Sequence, residues 1–201
     1  YGYVENFIGV SGRKEGLSQL PDGNFLPPLD MNCVEKDFKK NLFDKLGRTY
    51  TSGRVTNITK NHNGRGKCQS RNLCIRGCPY GAYFSSNSST LPAAEATGNM
   101  TLKTDSIVHS IIYDDEKNKA TGVRVLDSET LEMTEYYARI IFLNASTINS
   151  TLIMLNSKSR RFPNGFGNDS GELGHNIMDH HFKAGARAQI DGYEDYYYHG
   201  N

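Results

Sequence analysis

The chain has 201 residues, with 23 basic and 22 acidic side chains and a formal net charge of +1 at pH 7. A charge this close to zero gives no bulk attraction to nucleic acid or to anionic lipid. No apolar run approaches the roughly 20 residues that a membrane-spanning helix needs, so we expect no transmembrane segment. A chain of this length can bury a real core, as one large domain or two small ones.

The first 60 residues are rich in turn-forming sequence. VENFIGVSG, which starts at Val4, fits one or two helical turns interrupted by glycine. LPDGNFLPPL at 20–29 combines Pro-Asp-Gly with Pro-Pro, both of which favour turns. The clearest helix is predicted over 34–48, because apolar residues recur every four positions there and Gly47 is placed to end it.

Three of the four cysteines lie close together, in the stretch CQSRNLCIRGCPYGA that begins at Cys68. Its spacing is C-x5-C-x3-C-P, and only the last part matches the iron–sulfur run of bacterial ferredoxins. A structural zinc site needs a fourth ligand; Cys33 or His62 could supply one, but both are distant in sequence. A Cys68–Cys74 disulfide and the simple packing of small apolar thiols are the other interpretations.

The second half is predicted as a helix and a β-meander that ends in a strand–helix junction. A short helix is expected over 91–98, and strands over 101–115, 120–127, 131–145 and 183–191. The third strand ends in ARIIFLNA, a continuous apolar run typical of a strand covered on both faces. A helix over 146–158, capped by Ser146 or Thr147, follows it directly. Nucleotide cofactors favour such junctions, although an ordinary structural junction has the same pattern.

Four stretches, in the same order, resemble the glucose–methanol–choline (GMC) flavoprotein oxidoreductases. They are YGYVENFIGVSGRKEG with LPDGNFLPP, NMTLKTDSIVHSIIYDDEKNKATGVRVLD, ASTINSTLIMLNS and GELGHNIMDHH. The third is similar to the family signature G-A-I-x-S-P, but Ser146 replaces its glycine, Thr151 its proline and Lys158 the glycine that follows. The fourth is similar to G-R-N-L-x-D-H, with His175 in place of the arginine. The resemblance runs through nearly the whole chain.

This resemblance implies an α+β chain with three parts. Residues 1–60 would form a loop-rich lid or substrate-side segment, and residues 61–160 part of the FAD-binding domain, with the cysteines and the meander. Residues 161–201 would form a linker and the start of the substrate domain. The family reaction is oxidation of an alcohol, here a sugar or polyol, by hydride transfer to the flavin.

The family also indicates where FAD would lie. It places the backbone near Val108 beside the adenine, and Asn144, Ala145 and Ser146 beside the ribose–adenine end. No G-x-G-x-x-G fingerprint occurs in the 201 residues, and the family's catalytic histidine belongs to a later region. Neither end looks like a natural terminus. We therefore expect an internal piece of a longer enzyme that, alone, neither binds FAD well nor turns over substrate.

One subgroup of the family resembles the cysteine stretch. Membrane-associated sugar and sugar-acid dehydrogenases have a similar C-x5-C-x3-C-P-x-G-A segment, which carries a three-iron cluster and passes electrons from flavin to a cytochrome subunit. On this resemblance Cys68, Cys74 and Cys78 would be the cluster ligands, and an electron-acceptor subunit would be a partner. A rival from another class is a non-catalytic, β-rich carbohydrate-binding module, which the 12 tyrosines would suit.

Overall fold

The structure, a computed structural model, describes residues 1–180 and 185–194, and the chain divides into two compact units. The first unit comprises Tyr1–Thr101 with Ala188–Asn201, and the second comprises Leu102–Arg187. The first contains short helices joined by irregular segments, and the second a three-stranded antiparallel sheet with one helix. The predicted α+β class is confirmed, whereas the division at residues 60 and 160 stays a prediction. No helix in the described ranges is long and apolar enough to cross a membrane.

Three helices belong to the first unit: α1 (Gly2–Ile8), α2 (Cys33–Leu46) and α3 (Thr90–Glu95). The predicted helix over 34–48 is confirmed as α2. Its start is fixed by a capping box, in which the Asn32 side chain accepts from the Glu35 N–H at 2.9 Å and the Glu35 carboxylate accepts from the Asn32 N–H at 2.8 Å. Gly47 ends it in the left-handed conformation, as the sequence predicts.

The core of the first unit is small and lies beside the cysteine stretch. Leu26, Ile58 and Ala82 form it, and Cys68 and Cys78 pack against it. Ile58 is fully buried, and its N–H donates to the carbonyl of Ala82 at 3.0 Å. This core therefore holds the first and last cysteines of the stretch against the same apolar residues.

The second unit is built on the predicted meander. Strands β1 (Ser106–Asp114), β2 (Lys119–Asp127) and β3 (Met133–Tyr137) pair antiparallel in chain order. An aspartate closes each turn: Asp114 accepts from the N–H of Lys117, and Asp127 from that of Thr130, both at 2.9 Å. At Asp114, the Lys117 ammonium and backbone N–H groups hold the pKa of the carboxyl below its usual range. At Asp127, backbone N–H groups lower the pKa of the carboxyl in the same way.

A close approach between strands explains the glycine of the ATGV segment. Gly122 is buried in β2 opposite Tyr137, and a β-carbon there would lie 2.4 Å from the backbone oxygen of Tyr136. A side chain at this position would have to push β3 away from β2. The second family-like stretch thus carries a packing requirement of the sheet.

Helix α4 (Ser146–Asn156) packs against β1. Ile153 of α4 and Ile111 of β1 are both buried. At the end of the helix, the buried Ser157 hydroxyl donates to the Ile153 carbonyl at 2.6 Å and accepts from the Ile111 N–H at 2.7 Å. This hydroxyl fastens the helix to the outer edge of the sheet.

The predicted strand at 131–145 is wrong in its second half. β3 ends at Tyr137, and 138–145 is irregular, with Ile140 72% and Phe142 82% exposed. Its first residue, Ala138, still donates to the Thr121 carbonyl at 3.0 Å, but the strand pairing stops there. The exposed side chains that follow have no covering layer among the described residues that would favour a strand. The strand part of the predicted strand–helix junction is therefore absent.

Two further local predictions fail. Ala145, not Ser146 or Thr147, is the residue before the first helical turn of α4, and it provides no side-chain cap. Ser146 itself has a left-handed φ of 64°, so the chain enters the helix through a sharp turn rather than from an extended strand. In the predicted strand at 183–191, residues 185–191 are irregular and exposed, and 183–184 lie outside the described residues.

Candidate functional site

A cleft in the second unit lies at the beginning of α4. It has a volume of about 510 Å³ and is lined by residues 106–108 of β1, residues 142–145 and, from α4, Asn149, Leu152 and Ile153. The volume falls within the roughly 300–1,000 Å³ of small-molecule pockets. The sheet edge, the irregular segment and the helix thus form three sides of one candidate cofactor site.

Three of the four predicted FAD-contacting residues meet in this cleft. Val108, Asn144 and Ala145 all line it. Ser146 does not; it lines a neighbouring cleft of about 650 Å³ with Ile177, Asp179 and others. Ala145 and Ser146 are adjacent in sequence, but they line different clefts.

The chemistry of the first cleft fits the adenine–ribose end of a dinucleotide. Its walls are apolar and open: Ile107 is 52% exposed and Phe142 82%. The first turn of α4 has no side-chain cap, which leaves backbone N–H groups and the positive end of the helix dipole for a polar ligand atom. An aromatic base can pack on the apolar walls while ribose or phosphate oxygens accept from the helix.

Sequence reasoning missed most of the residues that line this cleft, Phe142 and Asn149 among them. Phe142 stands in the apolar run ARIIFLNA, whose pattern suggested burial inside a sheet rather than a cleft wall. Asn149 occupies the variable position of the family signature, one turn into α4. Helical spacing from Ala145 to Asn149 was the signal that could have identified it, since residues four apart share a helix face.

A second candidate site is the cysteine stretch in the first unit. Cys68, Cys74 and Cys78 line one small pocket together with Asn57, Arg71 and neighbouring residues. All four cysteines of the chain are free thiols, so the Cys68–Cys74 disulfide interpretation is wrong for this structure. The zinc interpretation gains no fourth ligand, because neither Cys33 nor His62 lines the pocket.

Unusual backbone conformations bring the cysteines together. Ser70 and Asn72 have left-handed φ values of 51° and 56°, which reverse the chain within the C-x5-C segment. A 3₁₀ turn over Cys74–Arg76 and Gly77, with φ 95°, shape the C-x3-C segment. The chain reversal between Cys68 and Cys74 thus occurs at two polar residues, Ser70 and Asn72.

Each cysteine sulfur receives hydrogen-bond donors. The Ser70 N–H points to the sulfur of Cys68 at 3.4 Å, and the Asn57 amide to that of Cys74 at 3.5 Å. Burial raises the pKa of the Cys78 thiol, but backbone N–H groups of residues 80, 82 and 83 and the charge of Arg71 outweigh it and hold that pKa below its ordinary value. These donors and this charge stabilise the thiolate form of Cys78 relative to that of a free cysteine.

The pocket is not a ready single-ion site. Among the described residues, no three His, Cys, Asp or Glu side chains are grouped so that they could hold one metal ion. The pocket volume is about 20 Å³, close to that of one water molecule. In this structure the pocket has no room for a group much larger than a water molecule.

Comparisons with known proteins agree with the motif order. Residues 34–182 match the family described as GMC oxidoreductase. The fructose dehydrogenase large subunit of Gluconobacter japonicus is 25% identical over 90% of this chain and 33% of its own length. The 2-methyl-1,2-propanediol dehydrogenase of Mycolicibacterium austroafricanum is 28% identical over 89% of the chain and 32% of its own length. The 6'''-hydroxyparomomycin C oxidase of Streptomyces lividus is 29% identical over 58% of this chain and 21% of its own length.

The chain spans about a third of the length of the first two of these relatives. The family match covers most of the chain, from α2 through the cysteine stretch and meander to the far side of α4. It includes both candidate sites. The chain belongs to the GMC oxidoreductase family of FAD-binding flavoproteins.

Proposed function

We propose that the intact enzyme containing this chain oxidises an alcohol, in particular a sugar or polyol, by hydride transfer to FAD. The observation that carries the proposal is the meeting of Val108, Asn144 and Ala145 in one cleft at the start of α4, in a chain of this family. When bound, FAD would supply the hydride acceptor. This chain's own contribution would be to hold the ribose–adenine end of FAD against apolar walls and free helix N–H groups.

The substrate class rests on the relatives. Their names specify fructose, a propanediol and a hydroxylated paromomycin, all of which carry hydroxyl groups. A hydroxylated substrate is therefore the expected class for the intact enzyme. The rival carbohydrate-binding module accounts for neither the family match nor the cleft.

The test is anaerobic mixing of the intact, FAD-loaded enzyme with a panel of sugars, diols and their deoxy analogues. We expect loss of flavin absorbance with at least one hydroxylated substrate and none with the analogue that lacks the reacting hydroxyl. A bound flavin that no alcohol in the panel reduces would contradict the proposed reaction. An intact protein that binds sugars but purifies without flavin would support the binding module instead.

A second proposal concerns the cysteine pocket. We propose that Cys68, Cys74 and Cys78 hold a three-iron cluster in the intact enzyme, as part of an electron path to an acceptor subunit. Two observations support it: the three thiols line one pocket, and N–H donors approach the sulfurs. The name of one relative, a large subunit, fits an enzyme with further subunits.

The lack of a single-ion site does not conflict with a cluster. One metal ion requires its ligands to converge on one point, whereas in a three-iron cluster each thiolate can bind a different iron. The sulfurs of a cluster site therefore stay farther apart than those of a zinc site. A cluster would need more room than the roughly 20 Å³ of this pocket.

Iron and acid-labile sulfide analysis of the intact enzyme, prepared without oxygen, tests this proposal. We expect about three irons per flavin, with loss of iron when any one of Cys68, Cys74 and Cys78 is changed to Ser. Cys33→Ser is the matched control, because Cys33 begins α2 and does not line the pocket. Iron-free wild-type enzyme would return the three cysteines to a packing role.

A further inference from the structure

Three cationic side chains line one cleft in the first unit. The cleft has a volume of about 450 Å³, within the roughly 300–1,000 Å³ of small-molecule pockets. Arg13, Lys14 and Lys39 line it together with one carboxylate, Glu15, so the lining has a net charge of +2, whereas the whole chain has +1. The cleft shares no residue with the cleft beside α4 or with the cysteine pocket.

The carboxylate of this cleft already has a partner. Lys39 Nζ lies 2.8 Å from Glu15 Oε1. Within residues 1–180 and 185–194, neither Arg13 nor Lys14 lies within ion-pair distance of a carboxylate. The Lys39 hydrogen bond lowers the pKa of Glu15 most, and the charge of Arg13 contributes less. Two cations of the lining therefore remain for an anionic ligand.

Arg13 also has an unmet hydrogen bond. Its Nε is buried and has no hydrogen-bond partner within the described ranges. Buried donors are nearly always paired, because an unpaired one costs free energy. Only Ser52 Oγ and Arg54 Nε share this condition among the described residues. A guanidinium with a free Nε can bind two oxygens of a carboxylate or phosphate side by side.

The rest of the cleft is apolar and held in place by backbone hydrogen bonds. Its apolar lining residues are Phe25, Leu26, Pro27 and Pro28. The Leu26 N–H donates to the Val10 carbonyl at 2.7 Å, and the Gly12 N–H donates to the Leu26 carbonyl at 3.2 Å. Leu26 belongs to the core of the first unit. The segment that carries the cations is thus fixed against the apolar wall before any ligand binds.

We propose that this cleft binds a small organic oxyanion, a carboxylate or a phosphate monoester attached to a ring or another apolar body. Arg13 binds the oxyanion through its guanidinium, and Lys14 adds a second unpaired charge. The body of the ligand packs on the wall that contains Phe25. This site is independent of the hydride-transfer and cluster proposals.

Phenyl phosphate and benzoate are the probes, and benzyl alcohol, which lacks the charge, is the neutral comparison. Binding to the intact, FAD-loaded enzyme is measured by isothermal titration calorimetry. Arg13→Gln and Lys14→Gln each remove one charge from the cleft. Arg48→Gln and Lys36→Gln are the matched controls, because both residues are exposed and neither lines the cleft.

We expect saturable binding of at least one charged probe and none of benzyl alcohol. Arg13→Gln should weaken this binding about tenfold, because it loses charged hydrogen bonds. Lys14→Gln should weaken it about threefold through the lost charge, and the two controls should change it by less than about twofold, because water and salt screen distant charges. Tighter binding of phenyl phosphate than of benzoate would assign the site to phosphate, and the reverse order to carboxylate.

Three results would overturn the proposal: saturable binding of neither charged probe, equal binding of benzyl alcohol, or the same dissociation constant in wild type, Arg13→Gln and Lys14→Gln. If Arg13→Gln does not fold, the comparison of Lys14→Gln with Lys36→Gln decides in the same way. Reduction of the flavin by alcohols is measured separately, so failure of this site is distinguishable from failure of the proposed function.

Discussion

At the scale of single residues, the hydroxyl of Ser157 shows how one buried polar group fixes an element. It is 2% exposed and satisfies the Ile111 N–H on the free edge of β1. Ser157→Ala would leave that donor buried without a partner, and we expect the region to lose about 1–3 kcal/mol of stability. Amide hydrogen exchange of β1 and α4 in the intact enzyme measures this loss. Ser128→Ala, in an exposed turn, is the control, and equal exchange in both variants would contradict the assignment.

A substitution of one residue, Ala145, also tests whether the cleft beside α4 binds FAD. Ala145 lines the cleft and precedes the first turn of α4, so a longer side chain there occupies ligand space and covers the helix N–H groups. We expect Ala145→Leu to weaken FAD binding by the intact enzyme about tenfold, or about 1.4 kcal/mol. Ala138→Leu is the control, because Ala138 is exposed and outside the cleft. Unchanged FAD affinity in Ala145→Leu, measured by flavin release, would remove residues 144–146 from the FAD site.

At the scale of elements, the sequence predicted those whose signals are local. Helix α2 has its capping box, its four-residue apolar repeat and Gly47 within one short stretch, and β1 and β2 carry alternation with an aspartate at each turn. The segment 138–145 failed because its fate depends on a covering layer that lies elsewhere, not on its own apolar residues. The left-handed turn at Ser146 was not predicted either, because no glycine at that position indicates it in the sequence.

The cysteine pocket, too, could be predicted only in part from local sequence. The spacing of the cysteines indicated a common site, and the structure places all three on one pocket. The residues that reverse the chain, Ser70 and Asn72, are of types common in turns, but such residues occur throughout this chain and do not by themselves mark a reversal. The buried cation of Arg65 was equally invisible, because its partners are backbone carbonyls distant in sequence or across the loop. Long-range polar contacts of this kind follow from the fold and not from local pattern.

An ion pair provides an element-scale prediction with a pH dependence. Lys39 of α2 pairs with Glu15 at 2.8 Å, and this hydrogen bond is the main cause that lowers the pKa of Glu15 below 4.5. A lowered carboxyl pKa stabilises the fold above pH 4.5, and the contribution disappears as the pH falls through the folded-state pKa. We expect Lys39→Met to cost at most about 1 kcal/mol at pH 7 and less at pH 3.

Hydrogen exchange of α2 in the intact enzyme at both pH values, corrected for intrinsic rates, checks this dependence. Lys40→Met is the matched control, since Lys40 is exposed and pairs with Asp44 one turn along the same helix. A loss in Lys39→Met that is the same at pH 7 and pH 3 would show that the side chain acts through packing and not through its charge.

At the scale of the whole molecule, many large apolar side chains of the described residues are exposed. Within residues 1–180 and 185–194, the buried apolar side chains are Leu26, Met31, Ile58, Ala82, Ile111, Val125 and Ile153. Part of the exposed apolar surface lies at the cleft beside α4 and the segment that leads to it, including Ile140, Phe142 and Leu152. Exposed apolar patches are typical of sites that contact a ligand or another protein surface.

The exposed surface leads to the last prediction, on the 201-residue chain by itself. Without a G-x-G-x-x-G loop for the pyrophosphate, the open cleft offers FAD only its apolar walls and one helix end, which is too little for tight binding. We expect the purified chain to be colourless, to lack dehydrogenase activity and to bind a hydrophobic dye such as ANS, because its apolar walls stay open to water. The intact enzyme under the same conditions should be yellow and bind little dye. A yellow preparation of the short chain with one FAD per molecule would show instead that the cleft at α4 binds the cofactor unaided, and the pyrophosphate contacts would then have to come from within these 201 residues.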